Sequence, residues 1–260
     1  MSTFEFTFLG TGAADFPFPF PENSFDSKAR RSTCNLLNGN TLIDFGVHGL
    51  KSLEILNKDF SEIENIIISH IHSDHFNIEN IGKVAAKKDK PLNLFVSKGV
   101  KTKFEIPENV NVTEMERFKE YKIGDLLVPG VPANHDPNIF PQHLIIEKDG
   151  KKIFYGLDGA WLLNESYYFM KDKKFDLMIL DATCGDYAGD FRMAEHNSIP
   201  MIRLMLPSFK TMNIICETSR VFLSHIAPSL HKSNEELSVT AKEMGCELAF
   251  DGMTVEIYKR

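Results

Sequence analysis

The stretch SHIHSDH, residues 69–75, places three histidines and one aspartate within seven positions. It follows the apolar run IENIIIS, residues 63–69, which predicts a buried β-strand. Because residues i and i+2 of an extended chain point the same way, we expect His70 and His72 to project together from the strand end. The chain can then turn, so that Asp74 and His75 face a second point nearby. Burying these groups without a metal would leave costly unpaired polar atoms, so the stretch predicts metal binding.

Three more residues of ligand type follow apolar, strand-like segments. His135 lies in VPANHDP, Asp158 in IFYGLDGAW and His225 in VFLSHIAP. Each of these segments can end at one edge of a sheet, where the side chains would meet. Imidazole nitrogens and carboxylate oxygens suit zinc, and also manganese or iron. The sequence therefore predicts a centre for two divalent metal ions, most simply zinc. It is not the helical HExxH zinc motif, because these residues follow strands and have a different spacing.

The remaining pattern predicts sheets packed on each other with helices outside, an α/β (α+β) chain in a single domain over residues 1–260. Hairpins are expected at Asn38-Gly39 and at Asp149-Gly150. The segment 14–31, with its alternating Phe-Pro, predicts a long loop. Strands are predicted within 3–12, 35–46, 63–69, 92–97, 125–133, 143–158, 175–183, 220–226 and 246–258, and helices over 49–56, 77–88, 198–206 and around 235–245.

Composition narrows the class of protein further. The chain has 260 residues, 43% of them hydrophobic, and a formal net charge of −7, which disfavours a nucleic-acid partner or a membrane surface. The N-terminus lacks the pattern of a signal peptide, and no apolar run reaches membrane-spanning length. The cysteines are scattered and form no CxxC pair, which favours buried thiols in a reducing compartment. We expect a cytoplasmic protein; the sequence leaves open whether it is a homodimer.

The order HxHxDH, an isolated histidine, an aspartate after a hairpin and a late SH resembles the metallo-β-lactamase superfamily. The opening FTFLGTGAADFPFP, then RRSTCNLL and TLIDFG, and the closing ELAFDGMTVEI are similar to its phosphodiesterase branch. That branch includes the tRNA 3′-processing endonuclease and the cyclic phosphodiesterase of phosphonate breakdown. The similarity covers nearly the whole chain, and HxHxDH is highly specific for the superfamily.

This resemblance implies a four-layer αββα sandwich with the metals at one edge. A hydroxide shared between the metals would be the nucleophile, and Asp74 could also orient it for attack. The implied ligand sets are His70, His72 and His135 for the first metal, Asp74, His75 and His225 for the second, and Asp158 as the bridge between them.

His196, in AEHNSI, matches a non-ligand histidine of the branch. The resemblance implies that it binds a phosphoryl oxygen or protonates the leaving group; the alternative is a histidine on a surface loop. His143 competes with His135 as a ligand, but it lies inside a strand-like segment. His231 could lie just behind the ligands. His48 could line the pocket or lie at an exposed helix start.

Two departures from the branch bear on the substrate. The loop after FLGTG has no cysteine, so the additional structural zinc of the phosphonate-pathway enzymes is not expected, and its phenylalanines should pack the loop down or wall the pocket. No long basic insertion could grip tRNA. Arg30 and Arg31 could contact a phosphate or could be solvated surface charges.

The function that these features predict is metal-dependent hydrolysis of a small or cyclic phosphodiester. The alternatives are hydrolysis of a lactone, thioester or other ester on the same fold, and a metal-dependent binding module without turnover.

Overall fold

The computed structural model describes residues 4–26, 28–186 and 190–258. Within these ranges the strands are β1 (Glu5–Gly10), β2 (Cys34–Leu37), β3 (Thr41–Phe45), β4 (Asn65–Ile67), β5 (Leu92–Ser97), β6 (Val110–Met115), β7 (Glu120–Ile123), β8 (Leu126–Pro132), β9 (Gln142–Lys148), β10 (Lys151–Gly156), β11 (Leu177–Asp181), β12 (Arg220–Ser224), β13 (Glu247–Leu248) and β14 (Met253–Glu256). The helices are α1 (Gly49–Ile55), α2 (Ile78–Ala85), α3 (Asn164–Met170), α4 (Ile199–Thr211) and α5 (Asn234–Glu243).

The strands form two mixed seven-stranded sheets. The first has the order β14-β1-β2-β3-β4-β5-β6, and the second has the order β13-β12-β11-β10-β9-β8-β7. Strands β3 to β6 run parallel to one another in the first sheet, and β10 to β13 run parallel in the second. Parallel neighbours present their carboxyl ends at the same edge of a sheet, and the loops that follow them meet there.

Three apolar clusters place the helices relative to the sheets. The first lies between the sheets, where Phe8 on β1 contacts Phe222 on β12 with ring centroids 5.6 Å apart. A second cluster joins the outer face of the second sheet to α4, through residues such as Ile202 and Phe209. A third joins the outer face of the first sheet to α1 and α2. The predicted four-layer αββα sandwich is therefore confirmed.

The sequence-predicted hairpins occur where expected. Asn38 and Gly39 both have positive φ, as do Asp149 and Gly150, and these are the conformations that a tight two-residue hairpin requires. The predicted segment 246–258 forms two strands that belong to different sheets. Gly252, at φ 86°, lies in the turn between them, so the chain crosses there from the second sheet to the first.

Three elements were not predicted from the sequence. Strands β6 and β7 are the outermost members of their sheets, and their alternating or short apolar pattern is weak because one face of each is partly exposed. Helix α3 has only seven residues, among them three aromatics, which have no strong helix propensity. In the described residues, no helix has the length and apolar character needed to cross a membrane.

Candidate metal centre

The candidate ligands all lie just beyond the ends of strands. His70, His72, Asp74 and His75 follow β4 of the first sheet. From the second sheet, His135 follows β8, Asp158 follows β10, and His225 comes directly after Ser224, the last residue of β12. The first sheet therefore supplies four of the candidate ligands and the second sheet supplies three, and together they form one cluster.

The first group contains His70, His72, His135 and Asp158, whose ligand atoms all lie within 4.8 Å of one another. His135 Nε2 is 3.2 Å from His72 Nδ1 and 3.6 Å from Asp158 Oδ1. His70 Nε2 lies 4.0 Å from the same oxygen. Three imidazole nitrogens and one carboxylate oxygen form a donor set that suits zinc.

The second group contains Asp74, His75 and His225. The Nε2 atoms of the two histidines are 3.0 Å apart, and Asp74 Oδ2 is 3.3 Å from His225 Nε2 and 3.6 Å from His75 Nε2. Asp158 closes this group from the other side, because its Oδ2 lies 2.6 Å from His75 Nε2 and 3.0 Å from His225 Nε2.

Asp158 thus stands between the two groups with one oxygen toward each. Its Oδ1 faces His70 and His135, and its Oδ2 faces His75 and His225. Asp158 is buried, and its φ of 53° is a left-handed conformation that is uncommon for a residue other than glycine. His225 has a similar φ of 56°. Strain of this kind clusters at functional sites, where the surrounding structure enforces it.

The residues present fit a pair of metal ions. His70 Nε2 is buried, and among the described residues it has no hydrogen-bond partner. A buried polar atom without a partner is costly, and a metal ion would satisfy it. The facing Nε2 atoms of His75 and His225 suit the same interpretation, because two imidazole nitrogens converge on one point.

In four of the five candidate histidine ligands, the ring nitrogen that points away from the centre has a partner within the protein. Asp44 Oδ2 accepts a hydrogen bond from His75 Nδ1 at 2.7 Å, and Ser69 Oγ is 3.0 Å from His70 Nδ1. Thr183 Oγ1 is 2.7 Å from His225 Nδ1, and the Glu195 carbonyl oxygen is 3.1 Å from His135 Nδ1. Such partners fix the ring orientation and direct the other nitrogen toward a metal.

Electrostatics distinguish the two groups. Burial acts to lower the pKa of His75, but the carboxylates of Asp158 and Asp44 raise it well above its usual value. The same balance, with Asp158 as the main opposing charge, raises the pKa of His225 to about 10. Burial and the neighbouring His75 lower the pKa of His70 well below its usual range. The second group therefore carries buried negative charge that a cation would balance.

His196 lies beside both groups without joining the predicted ligands. Its Nδ1 donates to Asp181 Oδ2 at 2.8 Å and is 3.5 Å from Asp158 Oδ1. Its ring stacks on that of His225, with an angle of 16° between the planes. Burial acts to lower the pKa of His196, but the charge of Asp181 and the hydrogen bond to it raise the value. The alternative of a solvated surface histidine is wrong, since the residue is mostly buried at the site.

The sequence interpretation missed the two supporting carboxylates. Asp181 accepts hydrogen bonds from His196 Nδ1 and from the main-chain N–H groups of Asp158 and Asn197. Asp44 accepts from His75, Ser69 and Tyr155. Both aspartates lie at the ends of buried strands, in LMILD and TLIDF, and this was the signal available to find them.

The other histidines lie outside the two ligand groups. His143 is buried behind the loop of Asp158, where a Cβ on Gly159 would lie 2.5 Å from its Nε2. His231 Nε2 donates to the carbonyl oxygen of Ala182 at 2.8 Å and lies 3.2 Å from that of Thr183. His231 therefore supports the segment of Ala182 and Thr183, and Thr183 in turn contacts His225.

His48 lies at the start of α1, as one of the two predicted alternatives has it, but it is half-buried rather than exposed, and its side chain does not cap the helix. The rings of Phe16 and Phe20 pack against it, with centroids 4.7 and 4.6 Å from its own. The Phe-Pro loop is thus packed down partly through this histidine, as its composition predicted.

Arg30 and Arg31 are not solvated surface charges, because they are only 2% and 1% exposed. Arg30 donates to Thr11 Oγ1 and to the Ala249 carbonyl oxygen, each at 2.7 Å. The guanidinium of Arg31 donates to the Pro21 carbonyl oxygen at 2.6 Å and lies 4.0 Å from Asp251. Both arginines bind the N-terminal loop to the rest of the fold.

Solved structures with the same architecture cover almost the whole chain. The metallo-β-lactamase fold protein YhfI from Bacillus subtilis is 16% identical, with a TM-score of 0.74 over 98% of this chain and 100% of its own. The chain has the metallo-β-lactamase fold. Within this fold, human tRNase Z, short form, is 19% identical with a TM-score of 0.69, over 98% of this chain and 100% of its own.

A diphosphatase of the PhnP family also has the metallo-β-lactamase fold in common with the chain, at 16% identity and a TM-score of 0.72, over 98% of each chain. In sequence, residues 4–105 match the family model described as anti-Pycsar protein Apyc1. No curated protein matches the chain. The predicted resemblance to metallo-β-lactamase fold proteins is confirmed, whereas the roles of individual residues rest on the geometry above.

Proposed function

We propose that the protein is a metal-dependent hydrolase that holds two divalent metal ions, most simply zinc, and cleaves a small phosphodiester. The observation that carries this proposal is the position of Asp158, whose two carboxylate oxygens face two separate groups of histidines. A carboxylate so placed suits a bridge between two metals. Manganese or iron would suit the same nitrogen and oxygen donors.

In this proposal, the first group would hold one metal and the second group the other, with Asp158 shared. When bound, such a pair supplies a hydroxide nucleophile near neutral pH and polarises the oxygen of the substrate. Asp74 Oδ2 lies at the edge of the second group, 3.3 Å from His225 Nε2, where it can also orient the nucleophile by hydrogen bonding.

His196 is the proposed general acid. Its Nδ1 proton is held by Asp181, so that Nε2 is left to face the substrate. The neighbouring carboxylate favours the protonated ring, which can bind a phosphoryl oxygen or deliver a proton to the leaving alkoxide. A phosphodiester has such a leaving group, and the similarity in fold to a PhnP-family diphosphatase and to a tRNase Z favours a substrate that is cleaved at phosphorus.

Turnover of three substrate classes tests the proposal. The metal-loaded protein should hydrolyse bis-(p-nitrophenyl) phosphate faster than p-nitrophenyl acetate or a lactone panel. Asp158→Asn should abolish this activity, and Asp172→Asn, at an exposed turn, is the matched control and should not change it. Faster hydrolysis of p-nitrophenyl acetate or of the lactones would show instead that the protein is an ester hydrolase. No turnover of any substrate would favour the alternative of a metal-dependent binding module.

A further inference from the structure

Trp161 is the single tryptophan of the chain and lies three residues after Asp158. Its side chain is 43% exposed, and its φ is 56°. A positive φ is rare for a bulky residue and marks an enforced conformation. A large apolar ring held toward solvent by a strained main chain calls for an explanation other than packing.

The main chain around Trp161 is bound on both sides to the neighbours of site residues. Trp161 N donates to Asn197 Oδ1 at 2.8 Å, and Asn197 directly follows His196. Ala160 N donates to the Asn134 carbonyl oxygen at 3.1 Å, and Asn134 Nδ2 donates back to the Ala160 carbonyl oxygen at 2.7 Å. Asn134 directly precedes His135.

These bonds fix the main chain of Trp161 beside residues that adjoin His135 and His196. Asn197 is buried, and its main-chain N–H donates to Asp181, the partner of His196. One hydrogen-bond network, through Asn197 and Asp181, therefore connects the main chain of Trp161 to His196, the proposed general acid.

We propose that Trp161 is a specificity-determining residue whose indole stacks on a planar ring in the substrate beside the phosphoryl group. This inference rests on the proposed function and names its substrate class: a phosphodiester with an aromatic or heteroaromatic ring is favoured over an aliphatic one. Offset or edge-to-face contacts between rings supply the attraction.

Binding without turnover tests the inference directly. Phenyl phosphate, methyl phosphate and inorganic phosphate are titrated calorimetrically into the metal-loaded protein, and the emission of Trp161 is followed in parallel. Phenyl phosphate should bind roughly three- to tenfold more tightly than methyl phosphate and should shift the emission, as expected for a ring–ring contact. Equal affinities for the two esters would overturn the inference.

Variants separate stacking from a structural effect. Trp161→Ala should lose the preference for phenyl phosphate while inorganic phosphate binds as before, and Trp161→Phe should retain most of it. Tyr258→Ala is the matched control, because Tyr258 is 74% exposed and lies with Leu177 and Arg220, at the strand ends away from the centre. A preference that survives in Trp161→Ala would also overturn the inference.

Kinetics distinguish this inference from the proposed function. With an aromatic diester, Trp161→Ala should raise KM and leave kcat nearly unchanged, since uniform binding is lost. If no diester is hydrolysed but phenyl phosphate still binds preferentially, the proposed function fails and the role of Trp161 stands. If diesters are hydrolysed without any ring preference, the role of Trp161 fails alone.

Discussion

Replacing Asp44 by asparagine should lower the affinity of the protein for both proposed metal ions, although Asp44 belongs to neither ligand group. Its Oδ1 accepts from Ser69 N at 2.7 Å, and its Oδ2 accepts from His75 Nδ1 at 2.7 Å. In Asp44→Asn the amide oxygen must face Ser69 N, because a main-chain N–H can only donate. The amide NH₂ is therefore directed at His75.

This orientation reverses the tautomer of His75. With aspartate, Nδ1 carries the proton and Nε2 keeps the lone pair that a metal needs. With asparagine, Nδ1 must accept, so the proton moves to Nε2, which is the atom that faces Asp158 and His225.

The effect reaches the first group through Ser69. Ser69 Oγ lies 2.8 Å from Asp44 Oδ2 and 3.0 Å from His70 Nδ1. With aspartate the hydroxyl donates to the carboxylate and accepts from His70, which leaves His70 Nε2 open. With asparagine the hydroxyl accepts from the amide, and its proton is free to turn toward His70 Nδ1.

The magnitude follows from what such partners contribute. Loss of a residue that orients a metal ligand typically lowers metal affinity by about 10- to 100-fold, or about 1.4–2.7 kcal/mol. Because Asp44 supports one ligand in each group, we expect a loss of this size for both ions.

Competition with a chromophoric chelator measures the two affinities. Tyr155→Phe is the matched control: the Tyr155 hydroxyl donates to the same Oδ2 at 2.7 Å and accepts from Asn35 Nδ2 at 3.2 Å, so its loss removes these two hydrogen bonds and leaves those of His75 and Ser69 in place. That variant should lose about 1–3 kcal/mol of unfolding free energy and keep its metal affinity. Wild-type affinity of Asp44→Asn for both ions would refute the reasoning.

Three further outcomes are expected. Elemental analysis of protein made in metal-replete medium should give two metals per chain, and Asp158→Ala should lower that content; one metal per chain in the wild type would count against the bridging role. A chelator should lower the melting temperature, and metal loss should increase as pH falls, because protons compete for the histidine nitrogens, above all those of His75 and His225, whose pKa values are raised; an unchanged melting curve after verified metal removal would contradict this. His196→Ala should retain both metals but lose about 10²–10⁴-fold in activity, less with good leaving groups such as p-nitrophenolate, and near-normal activity would exclude a catalytic role.

The ligand cluster was predictable because much of its pattern is local. SHIHSDH supplies four of the seven candidate ligands within a few residues, directly after a strand that its apolar run predicts. His135, Asp158 and His225 share the same signal, a polar residue just past an apolar segment. Because these strand ends were expected at one edge of the sandwich, the candidate ligands were also expected to lie close together.

The contacts of the supporting residues were not predictable, because their partners are distant in the chain. Asp44 meets His75 across 31 positions, and Arg31 meets the carboxylate of Asp251 across 220. An aspartate at the end of an apolar strand and an arginine in a polar loop are common, and nothing local shows which side chain either one meets. The surface interpretation of Arg30 and Arg31 failed for this reason.

The distribution of the ligands has a consequence for how the protein matures. His75 and His225 face each other at 3.0 Å but are 150 positions apart, and they follow strands of different sheets. During synthesis, a nascent chain that has emerged only through β6 presents His70, His72, Asp74 and His75 without His135, Asp158 and His225. The first sheet itself is completed only when β14, at residues 253–256, joins β1, so both proposed metal sites are complete only in a chain whose two sheets have formed and packed together.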